Sequence, residues 1–417
     1  MASITFAVSE QLSSENLAQI QRVIGGDPAS WNLDEIGDGN VNLIFRLRGP
    51  LGQVLIKQAV PYLRCVGESW PLSLRRNYFE LKALEAHAAV APQHLPRVLG
   101  FNEASAAMIM EFFGEHVILR RGLMQGIRYP KLADHITDYM AKTLFYTSDL
   151  YLSAAAKKAQ LQLFCENVEL CKITEDLIFT DPYRPHAEQN RHTSPQLDAL
   201  ATSFYEDAEL KVAITELKAK FLTSTEALIH GDLHTGSIMV NQSETKVIDP
   251  EFAYYGPMGF DVGLLLANFL LGYFSQSGLA QNPPEYEEWL LEQLAEIWIK
   301  FEQKFSLLWD HELKGDYLPA RLLTEATRAS VIGRVRGEYM ARLFEDSIRF
   351  AACEMIRRIL GLAHVADMDE IADPDKRALC ESRALQAARE LLVHHRRHKS
   401  VSDVLSTARN ARARVSL

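Results

Sequence analysis

The chain has 417 residues, 47% of them hydrophobic and 24% charged, and carries a formal net charge of -10 at neutral pH. That length exceeds what one hydrophobic core usually supports, so two lobes are expected. The acidic balance argues against wholesale electrostatic binding of nucleic acid, so any phosphate-bearing ligand has to be held by local features.

The opening stretch "MASITFAVSEQLSSENLAQI" has neither a basic start nor a long apolar run, so no secretory leader is expected and a cytoplasmic location is. "IGDGNVNLIF" (36–45) sets Gly37 and Gly39 in a turn before an extended segment, where backbone and Asn40 can lie over phosphates; such clusters are also common as plain hairpin turns. From 40 to 60, Val41, Leu43, Phe45 and Leu47 alternate on one face, the pattern breaks at "RGPLGQ", and a second apolar run ends at Lys57, which predicts a hairpin. "NYFELKALEAHAAV" (77–90) has helical spacing and carries Glu80 and Glu85; "PRVLGFNEASAAMIMEFF" then reads as strand, turn, strand, ending at Glu111, Phe112 and Phe113. Five scattered cysteines (Cys65, Cys165, Cys171, Cys353, Cys380) form no CxxC pair, against a disulfide framework or a zinc site.

After Phe113 the pattern is mainly helical, with amphipathic stretches near 205–222, 284–309, 319–364 and 376–396. The polar, proline-bearing segment 174–196 reads as a surface loop or insertion. "VGLLLANFLLGYF" after Asp261 is shorter than the ~20 residues needed to cross a bilayer; it reads as a buried core helix, with no membrane partner, and Asp261 as its cap or as a brace for the polar loop before it. The basic tail after His394 reads as a solvated helix or frayed end. The fold class expected is α+β and bilobal: a small antiparallel sheet with one helix in residues 1–113, and a larger, mainly helical lobe in 114–417.

The chemistry concentrates in "ALIHGDLHTGSIMV" (227–240) and in "KVIDPEFAYYGP" just after it. Asp232 and the pair Asp249 and Glu251 fall at the ends of short strands and can converge; in an extended segment carboxylates two apart point to the same side. Hard oxygen ligands so placed suit Mg²⁺, which takes one or two carboxylates together with substrate phosphates. His230, Asp232 and His234 could instead gather zinc or manganese, as in metal-dependent hydrolases. In "CEMIRRILGLAHVAD" Arg357 and Arg358 interrupt a buried apolar face and need anionic or polar partners, which nearby carboxylates could supply. Trp70 is open to simple core burial.

"HGDLHTGS" followed by "VIDPE" resembles the catalytic loop and metal motif of protein-kinase-like phosphotransferases. Together with "GESWPLSLRR" and "MIRRILGLAHVAD" it resembles, from "DGNVNLIF" to "KRALCESRALQAARELL", the methylthioribose kinase family. That resemblance implies a protein-kinase-like fold, ATP and Mg²⁺ as cofactors, phosphorylation of methylthioribose at its 1-hydroxyl in methionine salvage, and a homodimer. It implies Asp232 as the base, with Arg357, Arg358 and Trp70 beside it at the substrate and the arginines steadying the transferred phosphoryl group. Gly39, Asn40, Lys57, Glu80, the hinge Glu111, Phe112 and Phe113, and Asp249, Pro250 and Glu251 fall to ATP; Asp249, Glu251 and Ser237 fall to the metal. Glu85 stays open beside Glu80 as the partner of Lys57. Ser237 replaces the usual catalytic-loop asparagine, Asp-Pro-Glu replaces Asp-Phe-Gly, and Phe112 stands where an acidic residue is usual. The alternatives are a kinase of an aminoglycoside, choline or homoserine, a metal-dependent hydrolase, and a nucleotide-binding scaffold without activity.

Overall fold

The computed structural model describes residues 13–36, 42–63, 67–185, 190–279 and 282–414. A five-stranded antiparallel sheet runs in the order Asn32–Glu35, Asn42–Gly49, Gly52–Ala59, Ala107–Glu111, Val98–Asn102. The expected hairpin is present, with Asn42 opposite Ala59 and Gly49 opposite Gly52. Period-2 alternation gives its central strands two characters. Phe45, Leu47, Val54, Ile56 and Ile109 face Ile20 and Ile24 of the helix Ser14–Ile24, and form a closed apolar cluster. Lys57, one residue beyond Ile56, points to the opposite face, toward the helix Arg76–Ala88.

The remainder is mostly helical, as expected. The helix Met258–Leu279 is apolar on every side and its hydrophobic stretch is wholly buried, so it is a core helix. It lies unusually close to the long helix Glu325–Leu360: a Cβ on Gly263 would stand 2.5 Å from the Ser347 carbonyl oxygen, so only glycine permits the crossing. Leu132–Tyr146, Pro284–Glu312 and Pro374–Val393 pack around this pair. Between the helices, short strands carry the polar stretches: Ala227–Ile229 pairs with Tyr254–Gly256, and Ile238–Val240 pairs with both Thr245–Val247 and Val117–Ile118.

Two expectations are corrected. Residues 174–179 are not loop: they complete the helix Val168–Phe179, because Leu170, Ile173, Thr174, Leu177 and Ile178 recur at helical spacing and bury one face. The described part of the tail is a helix, one of the two readings, but a packed rather than a solvated one: Val401–Arg414 buries Val404, Ala408 and Ala411, and Arg409 and Arg412 pair with Glu288 and Glu287.

His87, on the helix Arg76–Ala88, is 1% exposed and joins that helix to the strand before the polar stretch. One ring nitrogen lies 3.1 Å from the Leu228 carbonyl oxygen, the other 3.0 Å from the Tyr139 hydroxyl. Burial pushes its pKa down from 6.5 to about 4. Between those values the unfolded chain binds the proton and the folded chain does not, so stability falls as pH falls, by about 3 kcal/mol near the lower end. Urea unfolding midpoints measured from pH 7 down to pH 5 are expected to fall less steeply in His87→Gln than in the parent; identical slopes would contradict this assignment.

Candidate active site

The site is built around buried charges. Lys57 is 2% exposed; its Nζ donates to Glu80 at 2.8 Å and to Asp249 Oδ1 at 2.7 Å. Burial works against its charge, but the carboxylates of Asp249, Glu80 and Glu251 outweigh burial and hold the ammonium protonated well above its ordinary value. Glu85, the other candidate partner, faces outward to Lys82. Asn77, one turn before Glu80's position on the same helix, donates to the carbonyls of Lys57 and Ala106 and fixes the helix to the sheet.

The acidic pair is not extended. Asp249 sits at φ 64°, ψ 45°, a left-handed conformation that aspartate tolerates better than most residues, and Pro250–Phe252 turns as a 3₁₀-helix with proline at its start. The same-side argument therefore does not apply, and the two carboxylates have different surroundings. Asp249 is partly exposed and meets Lys57. Glu251 is buried; its Oε2 accepts from Asn42 Nδ2 at 3.0 Å and lies 3.6 Å from Arg76 Nε, which itself donates to Asn42 Oδ1. Asn42 and Arg76 had no local sequence signal, since their partner is some 200 positions away.

The loop from His230 to Ser237 is shaped by its own side chains. His230 Nδ1 accepts from the Asp232 N–H and its Nε2 lies 2.8 Å from the Ile248 carbonyl; His234 Nδ1 accepts from the Gly236 N–H. Both rings are thereby committed to holding the loop, which removes the convergent His–Asp–His metal set, and among the described residues no group of three His, Cys, Asp or Glu could hold a metal. Gly231 has φ 81°, and a Cβ there would stand 2.2 Å from the Phe252 carbonyl oxygen, so glycine is required. Of the two readings of Asp261, the structure shows the brace of the polar loop: its two oxygens accept the N–H groups of His230 and Gly231 at 2.7 and 2.9 Å. Burial pushes its carboxyl up to about 7 against the pull of those bonds.

Asp232 stands at the centre. His234 Nε2 is 3.3 Å from its Oδ2, and Arg357 Nη2 and Arg358 Nη2 are 3.4 and 3.7 Å from its Oδ1. Burial opposes ionisation, yet these neighbours overcome it and hold the carboxyl far below the usual range. Both arginines also bind Glu354, which is 0% exposed and lies three and four residues before them. That pairing was open to a reader of "CEMIRR", because i,i+3 and i,i+4 neighbours share a helix face. Arg120 was not: its Nε lies 3.1 Å from Asp367 and its Nη2 donates to Asn268, both remote in sequence.

These groups form the floor of a cavity of about 470 Å³. Asp232, His234, Arg120, Arg357 and Arg358 line its polar side; Leu72, Leu170, Ile173, Leu177, Phe252 and Leu362 line an apolar wall. Trp70 packs against that apolar cluster rather than lining the cavity. Ser237 is buried, and its hydroxyl donates to the Asp232 carbonyl at 3.0 Å. Glu111 ends its strand and pairs with Arg97; Phe112 lies beneath the Arg46 guanidinium, and Phe113 lies beside His116. Gly39 and Asn40 fall outside the described residues.

Asp261→Ala would leave two buried N–H groups of the loop without acceptors, at about 3 kcal/mol in total. Chemical denaturation is the measurement; a loss below about 1 kcal/mol would mean that those bonds are replaced.

Residues 55–292 match the model of the phosphotransferase enzyme family. Methylthioribose kinase 1 of Oryza sativa subsp. japonica is 45% identical over 389 residues, covering 92% of this chain and 89% of the rice protein. The Escherichia coli methylthioribose kinase is 44% identical, covering 92% of each chain. The Yersinia enterocolitica enzyme is 41% identical over 380 residues, 90% of this chain and 92% of its own. The metal-dependent hydrolase reading is therefore set aside, and the protein is a kinase: the chain belongs to the methylthioribose kinase family.

Proposed function

We propose that this chain transfers the γ-phosphoryl group of ATP to the 1-hydroxyl of 5-methylthioribose, giving the 1-phosphate and ADP, in methionine salvage in the cytoplasm. One observation carries the reading beyond family membership: a single cavity joins a charged floor to an apolar wall. A sugar with hydroxyls at one end and a thioether at the other has that same division. A cationic aminoglycoside or choline would instead meet Arg120, Arg357 and Arg358.

In this reading Asp232, ionised and a quarter exposed, takes the proton of the 1-hydroxyl as its oxygen bonds to the γ-phosphorus. The bond from that phosphorus to the bridging oxygen breaks, and its electron pair leaves with ADP. Arg357 and Arg358 bind sugar hydroxyls and steady charge on the phosphoryl oxygens. Lys57, oriented by Glu80, meets the α and β phosphates; Gly39 and Asn40 cover them, Pro250 shapes the acidic turn, and the backbone of Glu111 to Phe113 holds adenine between lobes 1–113 and 114–417. Trp70 supports the methylthio wall from behind.

In donor chemistry Asp249 and Glu251 suit Mg²⁺, offering hard oxygens with Ser237 as a neutral third; one or two carboxylates is what a nucleotide-bound magnesium uses. Bound there, the ion would neutralise charge on the phosphates. The family resemblance further supports a homodimer.

A coupled ADP-release assay with methylthioribose, ribose and an aminoglycoside tests the substrate. Methylthioribose is expected to give the highest kcat/KM, and no response to it at millimolar concentration would sink the assignment. Asp232→Asn is expected to lower kcat by about 1,000-fold while nucleotide affinity survives; near-normal turnover would remove Asp232 from its role. EDTA is expected to abolish turnover and added Mg²⁺ to restore it, whereas stoichiometric zinc in the purified protein would contradict the metal assignment.

A further inference from the structure

Arg357 and Arg358 both reach toward the same oxygen of Asp232, but Arg357 Nη2 makes only one long hydrogen bond to it and Arg358 none. An arginine beside a carboxylate with no other claim on it forms short, commonly bidentate hydrogen bonds of about 2.7–2.9 Å. Here the distances are 3.4 and 3.7 Å. The restraint comes from Glu354, one turn earlier on the helix Glu325–Leu360. Its Oε2 accepts from Arg357 Nε at 2.6 Å, and its Oε1 accepts from Arg358 Nε at 2.6 Å and from Arg357 Nη2 at 3.3 Å. Arg358 Nη1 is tied to the Ala363 carbonyl at 3.1 Å.

Arg358 Nη2 is buried without a hydrogen-bond partner, on a side chain that lines the cavity beside Asp232. A buried donor left open is costly, and such groups are completed by something outside the fold. The acceptor that fits is a sugar or phosphoryl oxygen held between this donor and Asp232. Charge points the same way. Glu354 and Asp232 balance the two arginines, so removing either carboxylate's charge leaves both guanidiniums to the other.

We propose that Glu354 is a positioning residue that holds the two guanidinium groups off Asp232, keeping that carboxylate open to the acceptor hydroxyl and Arg358 Nη2 open to an acceptor oxygen. The role rests on Asp232 being the base in the reading above. Without Glu354's charge the arginines close onto Asp232 and occupy the lone pairs that would take the proton.

The test compares Glu354→Gln and Glu354→Asp with the parent, full-length in each case, by crystal structure, steady-state kinetics and nucleotide titration. In Glu354→Gln the guanidinium nitrogens are expected within about 3 Å of Asp232. Its kcat is expected to fall about 100-fold, with nucleotide affinity within about twofold of the parent. Glu354→Asp, whose shorter carboxylate reaches the guanidiniums less well, is expected to fall between, about tenfold below the parent. Arginines that keep their distances in Glu354→Gln, or a folded Glu354→Gln with parental kcat, would overturn the proposal. If Glu354→Gln does not fold, a parental kcat in Glu354→Asp overturns it instead. Failure of the unchanged chain to turn over methylthioribose would sink the substrate assignment alone, and the crystallographic distances would still decide the role of Glu354.

Discussion

A lysine ammonium that is almost wholly out of water is the constraint on which the small lobe is assembled. Lys57 cannot keep its charge at 2% exposure unless carboxylates come to it, and they come from two places: Glu80 on the helix Arg76–Ala88 and Asp249 at the turn after Val247. Sheet, helix and acidic turn are thereby fixed to one another by the same three groups. Asn77 and His87 repeat the logic with neutral groups, tying the same helix to the sheet and to the Leu228 carbonyl.

The cavity floor follows the rule at larger scale. Arg120, Arg357 and Arg358 are matched by Asp367, Glu354 and Asp232, each cation within 4 Å of a carboxylate. Of these carboxylates only Asp232 lines the cavity, so the floor offers many oriented donors and little to hold a cation. A neutral polyol is the ligand class such a floor suits, and the leucine-rich wall opposite supplies the rest of the contact.

What could be read from the sequence was local. The hairpin followed from period-2 alternation, the core helix from an unbroken apolar run, and the polar loop from its short spacing between apolar flanks. Two local readings failed because one signal hid another. Pro250 fixes a turn where an extended acidic pair was expected, and the proline and histidine content of 174–196 masked the helical spacing that ends at Phe179. The pairing of Glu354 with Arg357 and Arg358 is legible in its i,i+3 and i,i+4 spacing. The pairings of Asp261 with the His230 and Gly231 amides, of Arg120 with Asp367, and of Glu251 with Asn42 and Arg76 join remote segments, and no periodicity reports them.

The crossing at Gly263 has a mechanical meaning. Asp261, which carries the polar loop, sits on one helix of that crossing, and Arg357 and Arg358 sit on the other. Because the two backbones touch without side chains between them, any displacement of one helix is shared by its neighbour. The spacing between Asp232 and the guanidiniums is thus a common-mode quantity, insensitive to rocking of the sheet that carries Lys57. The charged floor of the cavity is therefore fixed within the large lobe, whereas Leu72 of its apolar wall comes from the small lobe, so the wall depends on how the lobes stand to each other.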